Sequence, residues 1–354
     1  MTASPVAWLR ERAEEFDRLG APLYAVLVRG MAGDWERGGP VREVLAGWED
    51  APSEAVVDLR LLGGLFRIVL ERRAPALTPY YRSLGGRAGP DGAWEVAREV
   101  VAAHPHELRA ALDVFPQTNE VGRAVPLVVG LMDAVSRSGL HRVRLLEIGA
   151  SAGLNLRVDR FRVSGEGWAV GPADSPVRLD GAVRGPVRPV DLEVVARRGC
   201  DLYPVDPGTP EGRLRLASFV WPDHVDRHHR LAAALRVAAD LPARVDRSPA
   251  LPWLEEQLEQ AAAPDVLTVV WHSVVALYLP QDERATLTAM LAEAGHRAPV
   301  ARVELEHRDL RAGLRPELAV TLYPGGECRV LADASHHGPP VVLRPGVSVG
   351  EVSH

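Results

Sequence analysis

The first 140 residues show apolar positions at helical spacing and no strand pattern. Val6, Leu9, Ala13 and Phe16 recur every three or four residues, which is typical of an amphipathic helix. Similar spacing continues through "DLRLLGGLFRIVL", "WEVAREVVAAHPHELRAAL" and "GRAVPLVVGLMDAVSRSG", and the last of these ends on Gly139, a typical helix stop. The pattern predicts an all-helical N-terminal region over residues 1–140.

From residue 141 onward, short apolar runs alternate with helical patterns. "VRLLEI" and "VLTVVWHSV" are typical of buried strands, whereas "WPDHVDRHHRLAAALRVAADL" and "QDERATLTAMLAEAG" are typical of helices. "VDLEVVARRG" is predicted to be a helix that ends at Gly199, and the final strands are joined by Pro324-Gly325-Gly326. Residues 141–354 are therefore predicted to form an α/β domain, in which a mostly parallel sheet has helices on both faces and a C-terminal antiparallel hairpin. A Gly/Pro-rich stretch near 161–186 is predicted to be an inserted hairpin.

Composition narrows the possible partners. The 354 residues are 47% hydrophobic and 25% charged, as expected for a globular protein. All 41 basic residues are arginines, scattered along a chain of net charge −6, which argues against a nucleic-acid partner. The two cysteines have no metal-binding spacing, the N-terminus becomes charged too early for a signal peptide, and no apolar run reaches membrane-spanning length. We expect a cytoplasmic protein without a membrane partner, and the sequence does not indicate its oligomeric state.

The stretch "LLEIGASAGLNL" (145–156) fits two motifs. Gly149-Ala150-Ser151-Ala152-Gly153 spells the G-x-S-x-G of a serine hydrolase. Together with Glu147, the same residues spell a glycine loop that holds a nucleotide-like cofactor after a first strand. The loop follows the first strand of the chain, with no earlier loop to supply an oxyanion hole, and this context favours the cofactor. A Ser151 hydrolase and a non-catalytic ligand-binding module remain the alternatives, as does a tight turn without a ligand.

On the cofactor interpretation, the glycines permit close approach of the backbone, and an acid near the strand end holds hydroxyl or amino groups. The predicted cofactor-binding residues are Glu147, Gly149, Ser151, Gly153, Asn155, Asp201 and Asp206. Either Asp201 or Asp206, at the end of the second strand, is the expected ribose-binding acid.

Other candidates surround the same cleft in the sequence-based interpretation. His272 ends the most apolar strand and is the predicted base, and Asp223 and Tyr278 are further catalytic candidates. The predicted substrate-binding residues are Gln117, Asn119, Arg123, Trp221, Arg227 and His337. Several of these candidates have a structural alternative. His272 is then a core histidine, Trp221-Pro222-Asp223 starts a helix, and Gln117-Thr118-Asn119 caps a helix. His224 and His228 have the i, i+4 spacing of zinc ligands, but they lie in an arginine-rich stretch, and no metal is expected.

The loop Glu147-x-Gly149-x-Ser151-x-Gly153, followed by alternating helices and strands, resembles class I S-adenosylmethionine-dependent methyltransferases. More closely, the chain resembles a bacterial family of uncharacterised proteins with a methyltransferase-like core. The matching stretches are "QTNEVGR", "LLEIGASAGLNL", "RRGCDLYPVD", "FVWPDHVDRHHRL", "VVWHSVVALYLP" and His337-Gly338. The resemblance implies a Rossmann-like sheet, an S-adenosylmethionine pocket and methyl transfer to a small-molecule acceptor. The helical region is expected to cover the site.

Overall fold

The computed structural model describes residues 5–52, 55–260, 263–307 and 315–350. The chain divides into two compact units. The helical unit contains residues 1–118 and 209–229, and the sheet unit contains residues 119–208 and 230–354.

The helical unit contains no strand among its described residues. Several of its helices begin on proline, whose fixed φ and missing N–H suit the first helical turn. Apolar faces of these helices form one core that includes Phe16, Leu27 and Phe66. Its α-helices, numbered in chain order, are α1 (Pro5–Arg18), α2 (Pro22–Glu36), α3 (Pro40–Val44), α4 (Val57–Leu70), α5 (Ala93–Ala103), α6 (Pro105–Ala111) and α8 (Pro210–Ser218).

The sheet unit is built around one sheet of eleven strands. Its strands are β1 (Arg142–Ile148), β2 (Arg162–Gly165), β3 (Trp168–Val170), β4 (Arg178–Arg184), β5 (Glu193–Asp201), β6 (Arg244–Arg247), β7 (Val266–Ser273), β8 (Val300–Glu306), β9 (Glu317–Tyr323), β10 (Glu327–Ser335) and β11 (Gly338–Leu343). Its helices are α7 (Ala124–Ser138), α10 (Ala250–Glu259) and α11 (Gln281–Gly295), and α9 (Val225–Asp240) contains the point where the chain enters this unit.

The spatial order of the strands is β3-β2-β4-β11-β10-β9-β8-β7-β1-β5-β6. Strands β6, β5, β1, β7 and β8 are parallel neighbours, and β8 to β11 form an antiparallel series. The prediction of a mostly parallel sheet with antiparallel C-terminal strands is confirmed. After β1 the chain adds β5 and β6 on one side of it, and later β7 and β8 on the other side. The winding direction of the chain therefore reverses between β1 and β7.

Helices cover both faces of this sheet. Leu146 and Ile148 of β1 and Val270 of β7 pack with α10 and α11 in one core. Glu147 pairs in register with Trp271, and alternation along the strands places these two side chains on the opposite face. Helix α7 packs against β7, β8 and β9. The reversal point between β1 and β7 is therefore buried from both sides.

Two predicted helical segments differ in the structure. "VDLEVVARRG" was expected to be a helix, but Glu193–Asp201 forms β5, whose ladder with β1 overrides a weak helical pattern containing Val194 and Val195. The helix expected from Trp221 begins only at Val225, because Trp221 to His224 form a turn. The predicted helix at Gln281–Gly295 is confirmed, and the predicted strand "VRLLEI" lies within β1.

Candidate functional site

The loop after β1 has a backbone that favours glycine. Gly149, Ser151 and Gly153 have φ values of 70°, 53° and 64°. A Cβ on Gly149 would lie 2.5 Å from Cγ2 of Val275, in the loop after β7, so glycine is required there for both torsion and space. Ser151 adopts the left-handed region although it carries a side chain, which marks a strained position.

Hydrogen bonds join this loop to the loop after β5. The Ala150 N–H donates to the Cys200 carbonyl at 2.9 Å, and the Val205 N–H donates to the Ser151 carbonyl at 3.2 Å. The Ser151 N–H donates to Oδ2 of Asp201 at 2.8 Å. The loop after β1 thus contacts both the loop after β5 and the loop after β7 at the carboxyl edge of the sheet.

Three buried polar atoms around the loop lack a hydrogen-bond partner in the described part of the chain. They are Oε2 of Glu147, Oγ of Ser151 and Oδ1 of Asn155. Their residues are only 3%, 5% and 2% exposed. Buried polar atoms are nearly always paired in folded proteins, because each unpaired one costs about 1–3 kcal/mol. Three of them around one loop make this the candidate site.

The carboxyl group of Glu147 has an unusually high pKa. Burial raises the pKa of its carboxyl group to about 8, and the nearby Trp271 indole only partly offsets this. The Glu147 side chain therefore holds a proton at neutral pH unless a ligand compensates its charge. A carboxyl group with this behaviour is typical of functional sites.

The two aspartates predicted to bind a ribose are both engaged with backbone. Besides the Ser151 amide, Asp201 accepts the Tyr203 N–H at 2.8 Å through Oδ1. Asp201 therefore holds the loop after β1 against the loop after β5. Asp206 accepts the Gly208 N–H at 2.8 Å in a more exposed turn.

His272 lies on the opposite face of the sheet from Glu147. Its Nδ1 is 2.6 Å from Oε1 of Glu306, and Nε of Arg302 donates to its Nε2 at 3.0 Å. Burial opposes the charge of Glu306, but hydrogen bonds from His272 and the Val275 amide hold its pKa below the usual value. With both ring nitrogens bonded and the side chain 1% exposed, His272 joins the end of β7 to β8.

Some predicted substrate residues support the loop. Oδ1 of Asn119 accepts the Leu154 N–H at 2.7 Å, at the start of the 3-10 helix Leu154–Arg160. Arg123 donates to the carbonyls of Ser273 and His336 at 3.2 and 3.0 Å. His337 lies 3.4 Å from the Glu120 carboxylate. Tyr278 is 64% exposed in a turn after β7.

The other predicted substrate and catalytic residues belong to the helical unit: Gln117, Trp221, Asp223 and Arg227. Gln117 is buried, and Nη1 of Arg227 lies 3.0 Å from Nδ1 of His224. The proposed start of a helix at Trp221-Pro222-Asp223 is wrong, since Asp223 accepts the Leu23 N–H at the start of α2.

The possible zinc pair is not arranged as a metal site. His224 stacks on Trp221, and Nε2 of His228 lies 3.0 Å from the Val220 carbonyl. Burial lowers the pKa of His228 to about 4. No group of three potential metal ligands occurs among the residues that the structure describes.

Sequence patterns did not identify three residues that shape the loop. Arg157, 2% exposed, donates to the Gly153 carbonyl at 2.6 Å and to the Leu241 carbonyl at 2.7 Å. Glu306 accepts from both His272 and the Val275 N–H, and the Val275 side chain fills the space beside Gly149. The buried charge of Arg157 is recognisable only once the fold is known.

Comparison with known proteins gives a family and no activity. None of the described helices has both the length and the apolar composition needed to cross a membrane. Neither the curated proteins nor the solved structures include a match to the chain. A family model described as an uncharacterized protein conserved in bacteria matches residues 6–342. Since this match covers nearly the whole chain, the protein belongs to the DUF2332 family of uncharacterised bacterial proteins.

Proposed function

We propose that this protein binds S-adenosylmethionine at the loop after β1 and transfers its methyl group to a small molecule. The observation that carries the proposal is the set of unpartnered buried atoms on Glu147, Ser151 and Asn155. A carboxyl, a hydroxyl and an amide oxygen suit a ligand that has hydroxyl and ammonium donors.

The topology supports this location. Taken in chain order, the five parallel strands β1, β5, β6, β7 and β8 have the spatial order 3-2-1-4-5, which is the order of Rossmann-like doubly wound sheets. Such sheets bind ligands beyond the carboxyl ends of their strands, where the winding direction reverses. The loop after β1 lies at this point.

The local structure favours a ligand without phosphates over a dinucleotide. Pyrophosphate is usually bound by free N–H groups at the start of an α-helix. Here the loop leads into the seven-residue 3-10 helix Leu154–Arg160, and the Leu154 N–H already donates to Asn119. S-adenosylmethionine has hydroxyl, ammonium and sulfonium groups and no phosphate.

Each residue around the loop after β1 then has a defined role in binding. Glu147, once a ligand offsets its desolvation, accepts hydrogen bonds or a positive charge, while Ser151 and Asn155 supply further polar contacts. Asp201 and Gly149 fix the loop between its neighbours. When bound, S-adenosylmethionine supplies an electrophilic methyl group for direct displacement, so alignment is the main catalytic requirement. The charge of −6 and the dispersed arginines support a small molecule rather than a nucleic acid as acceptor.

Isothermal titration calorimetry with S-adenosylmethionine, S-adenosylhomocysteine and NAD⁺ tests the proposal. We expect saturable binding of the first two ligands and none of NAD⁺. Glu147→Gln should weaken binding by roughly tenfold or more, since it removes a charge-assisted contact. Glu166→Gln is the matched control, because Glu166 is exposed in the same unit and should leave affinity unchanged.

Ser151→Leu should block the loop, whereas Ser151→Ala should retain most binding. Folded wild-type protein that gives no saturable heat with either sulfur ligand would refute the proposal. Binding without methyl transfer to a panel of small nucleophiles would instead assign a ligand-binding module.

One observation favours a second candidate, a serine hydrolase. Ser151 occupies the centre of G-x-S-x-G and has a strained φ of 53°. Its Oγ has no hydrogen bond to a base within the described residues, however, which weighs against an assembled triad. An organophosphonate probe distinguishes the two functions: labelling that Ser151→Ala abolishes supports the hydrolase, and the absence of labelling excludes it.

A further inference from the structure

A second group of under-partnered polar atoms lies within the helical unit, at the turn between α8 and α9. Its centre is Asp223, whose side chain is 5% exposed. In the described residues, Oδ2 of Asp223 accepts one hydrogen bond, from the Leu23 N–H at a long 3.3 Å. Nε of Arg82 is 3.7 Å from Oδ1, and Arg82 itself is 58% exposed. A carboxylate can accept about four hydrogen bonds, so Asp223 is far from saturated.

Two buried hydroxyl groups belong to the segment that hydrogen-bonds to this turn. Oη of Tyr81 and Oγ of Ser83 are buried and have no hydrogen-bond partner within the part of the chain that the structure describes. Tyr81 is fully buried. The Ser83 N–H donates to the Pro222 carbonyl at 3.0 Å, which joins this segment to the turn that carries Asp223.

The titration of nearby groups is consistent with their proximity. Burial raises the pKa of Asp223, against smaller opposing effects of the Leu23 amide and Arg82. Burial and the Asp223 charge both raise the pKa of Tyr81. Burial also raises the pKa of Tyr24, with smaller contributions from Tyr81 and Asp223 and an opposing one from Arg227. The two tyrosines and the aspartate therefore share one electrostatic environment.

An aromatic wall adjoins these groups. Trp221 is partly exposed, stands edge-on to Phe16 with ring centroids 5.1 Å apart, and stacks on His224 at 5.2 Å. Aromatic faces attract organic cations and also accept apolar groups. Capping α2 needs only one acceptor and gives no reason to bury a whole carboxylate beside two unpaired hydroxyls.

We infer that Asp223, Tyr81 and Ser83 form a binding site for the ammonium group of a small organic amine, with Trp221 beside its apolar part. A primary ammonium has three N–H donors, and the site offers a carboxylate and two hydroxyl oxygens. An anion would be repelled by Asp223, and a neutral group would leave its charge uncompensated. All these residues lie in the helical unit, so the inference does not depend on S-adenosylmethionine binding.

The test is calorimetric titration of the full chain, without S-adenosylmethionine, with three probes of equal chain length: butylammonium chloride, 1-butanol and sodium butyrate. We expect saturable binding of butylammonium alone. Asp223→Asn should weaken it by about tenfold or more, because an ion pair is lost. Arg82→Gln should tighten it by roughly twofold to fivefold, because a competing cation is removed. Asp17→Asn is the control, since Asp17 forms an exposed pair with Arg29 in the same unit.

Tyr81→Phe separates ligand binding from folding. It removes a hydroxyl without a protein partner, so the thermal midpoint should stay equal or rise while butylammonium binding falls by about threefold or more. This variant decides the question if Asp223→Asn does not fold. The inference is overturned if wild-type protein does not bind butylammonium, if 1-butanol binds equally well, or if folded Tyr81→Phe binds it as the wild type does. None of these results bears on the titration with S-adenosylmethionine.

Discussion

The buried polar groups on the two faces of the sheet, at the ends of β1 and β7, differ in whether they have hydrogen-bond partners. On one face, His272 is bonded at both ring nitrogens, by Glu306 and Arg302. On the other face, Glu147 and Ser151 each keep a buried oxygen without a partner in the described chain. Adjacent residues of β7, Trp271 and His272, face these two environments.

This difference distinguishes a buried polar group that stabilises the fold from one that binds a ligand. A closed network, in which every buried donor meets an acceptor, stabilises the folded state. An open set, in which buried polar atoms have no partner, lowers the stability of the free protein, and a ligand that pairs with these atoms restores it. His272, which the sequence predicts as the base, belongs to the closed network, and the open set contains Glu147, the acid that precedes the glycine loop.

The largest expected effect is the pH dependence of Glu147. Its pKa rises from 4.5 to about 8 on folding. Between these values the folded chain holds a proton that the unfolded chain has released, so stability falls as pH rises through this range. Glu147→Gln should remove this loss and exceed wild-type stability at pH 8 by on the order of 4 kcal/mol.

Urea unfolding at about pH 5 and pH 8 measures the effect of Glu147→Gln, with Glu166→Gln as the control. Equal pH profiles for wild type and Glu147→Gln would show that the carboxyl is not desolvated.

A somewhat smaller effect should follow from opening the closed network. Glu306→Ala leaves the His272 ring and the Val275 N–H without their acceptor, which should cost about 3 kcal/mol. Glu327→Ala, at a side chain that is 82% exposed, is the matched control. If chemical denaturation places the two variants within about 0.5 kcal/mol of each other, the network does not stabilise the fold.

Asn119→Ala tests a single closed contact beside the open set. It removes the acceptor of the Leu154 N–H and should cost about 1 kcal/mol, as for a lost helix cap. Asn119→Asp keeps an acceptor and should recover most of the loss in the same denaturation experiment. Equal losses for both substitutions would show that the hydrogen bond from Leu154 to Asn119 does not stabilise the fold.

The smallest change in stability is expected for Ser151→Ala. Because Oγ of Ser151 has no partner in the described residues, its removal should leave the free energy of unfolding unchanged or raise it slightly, by less than about 1 kcal/mol. Asn119→Ala, which removes an acceptor that does have a partner at the end of this loop, is the informative contrast. A loss of 2 kcal/mol or more would mean that this hydroxyl belongs to a closed network after all.

The regular elements were the most predictable part of the molecule. Strand β7 is an apolar run buried over nearly its whole length, and α11 has the predicted bounds. Segment Glu193–Asp201 was assigned wrongly, because its strand state depends on pairing with β1, about fifty residues earlier in the chain. Periodicity within one segment carries no information about such a neighbour.

The candidate site was predictable only in part. The glycine spacing identified the loop, since left-handed torsions and close packing beside Val275 leave a residue signature. Glu306 was not identified, because its role depends on contacts with His272, 34 residues earlier in the chain. Likewise, no local pattern shows that Asp223 is buried beside Tyr81.

The pairing of β11 with β4 has a consequence for how the chain folds. Val341 and Val342 pair with Val183 and Arg184, so β4 acquires this neighbour only after some 150 further residues have been synthesised. Strands β2, β3 and β4 therefore leave the ribosome long before the strand that connects them to the rest of the sheet. Such distant pairing slows folding and leaves a strand edge open to unwanted association. Ending the chain before Gly338 would detach this group of three strands from the sheet, although none of their own residues had changed.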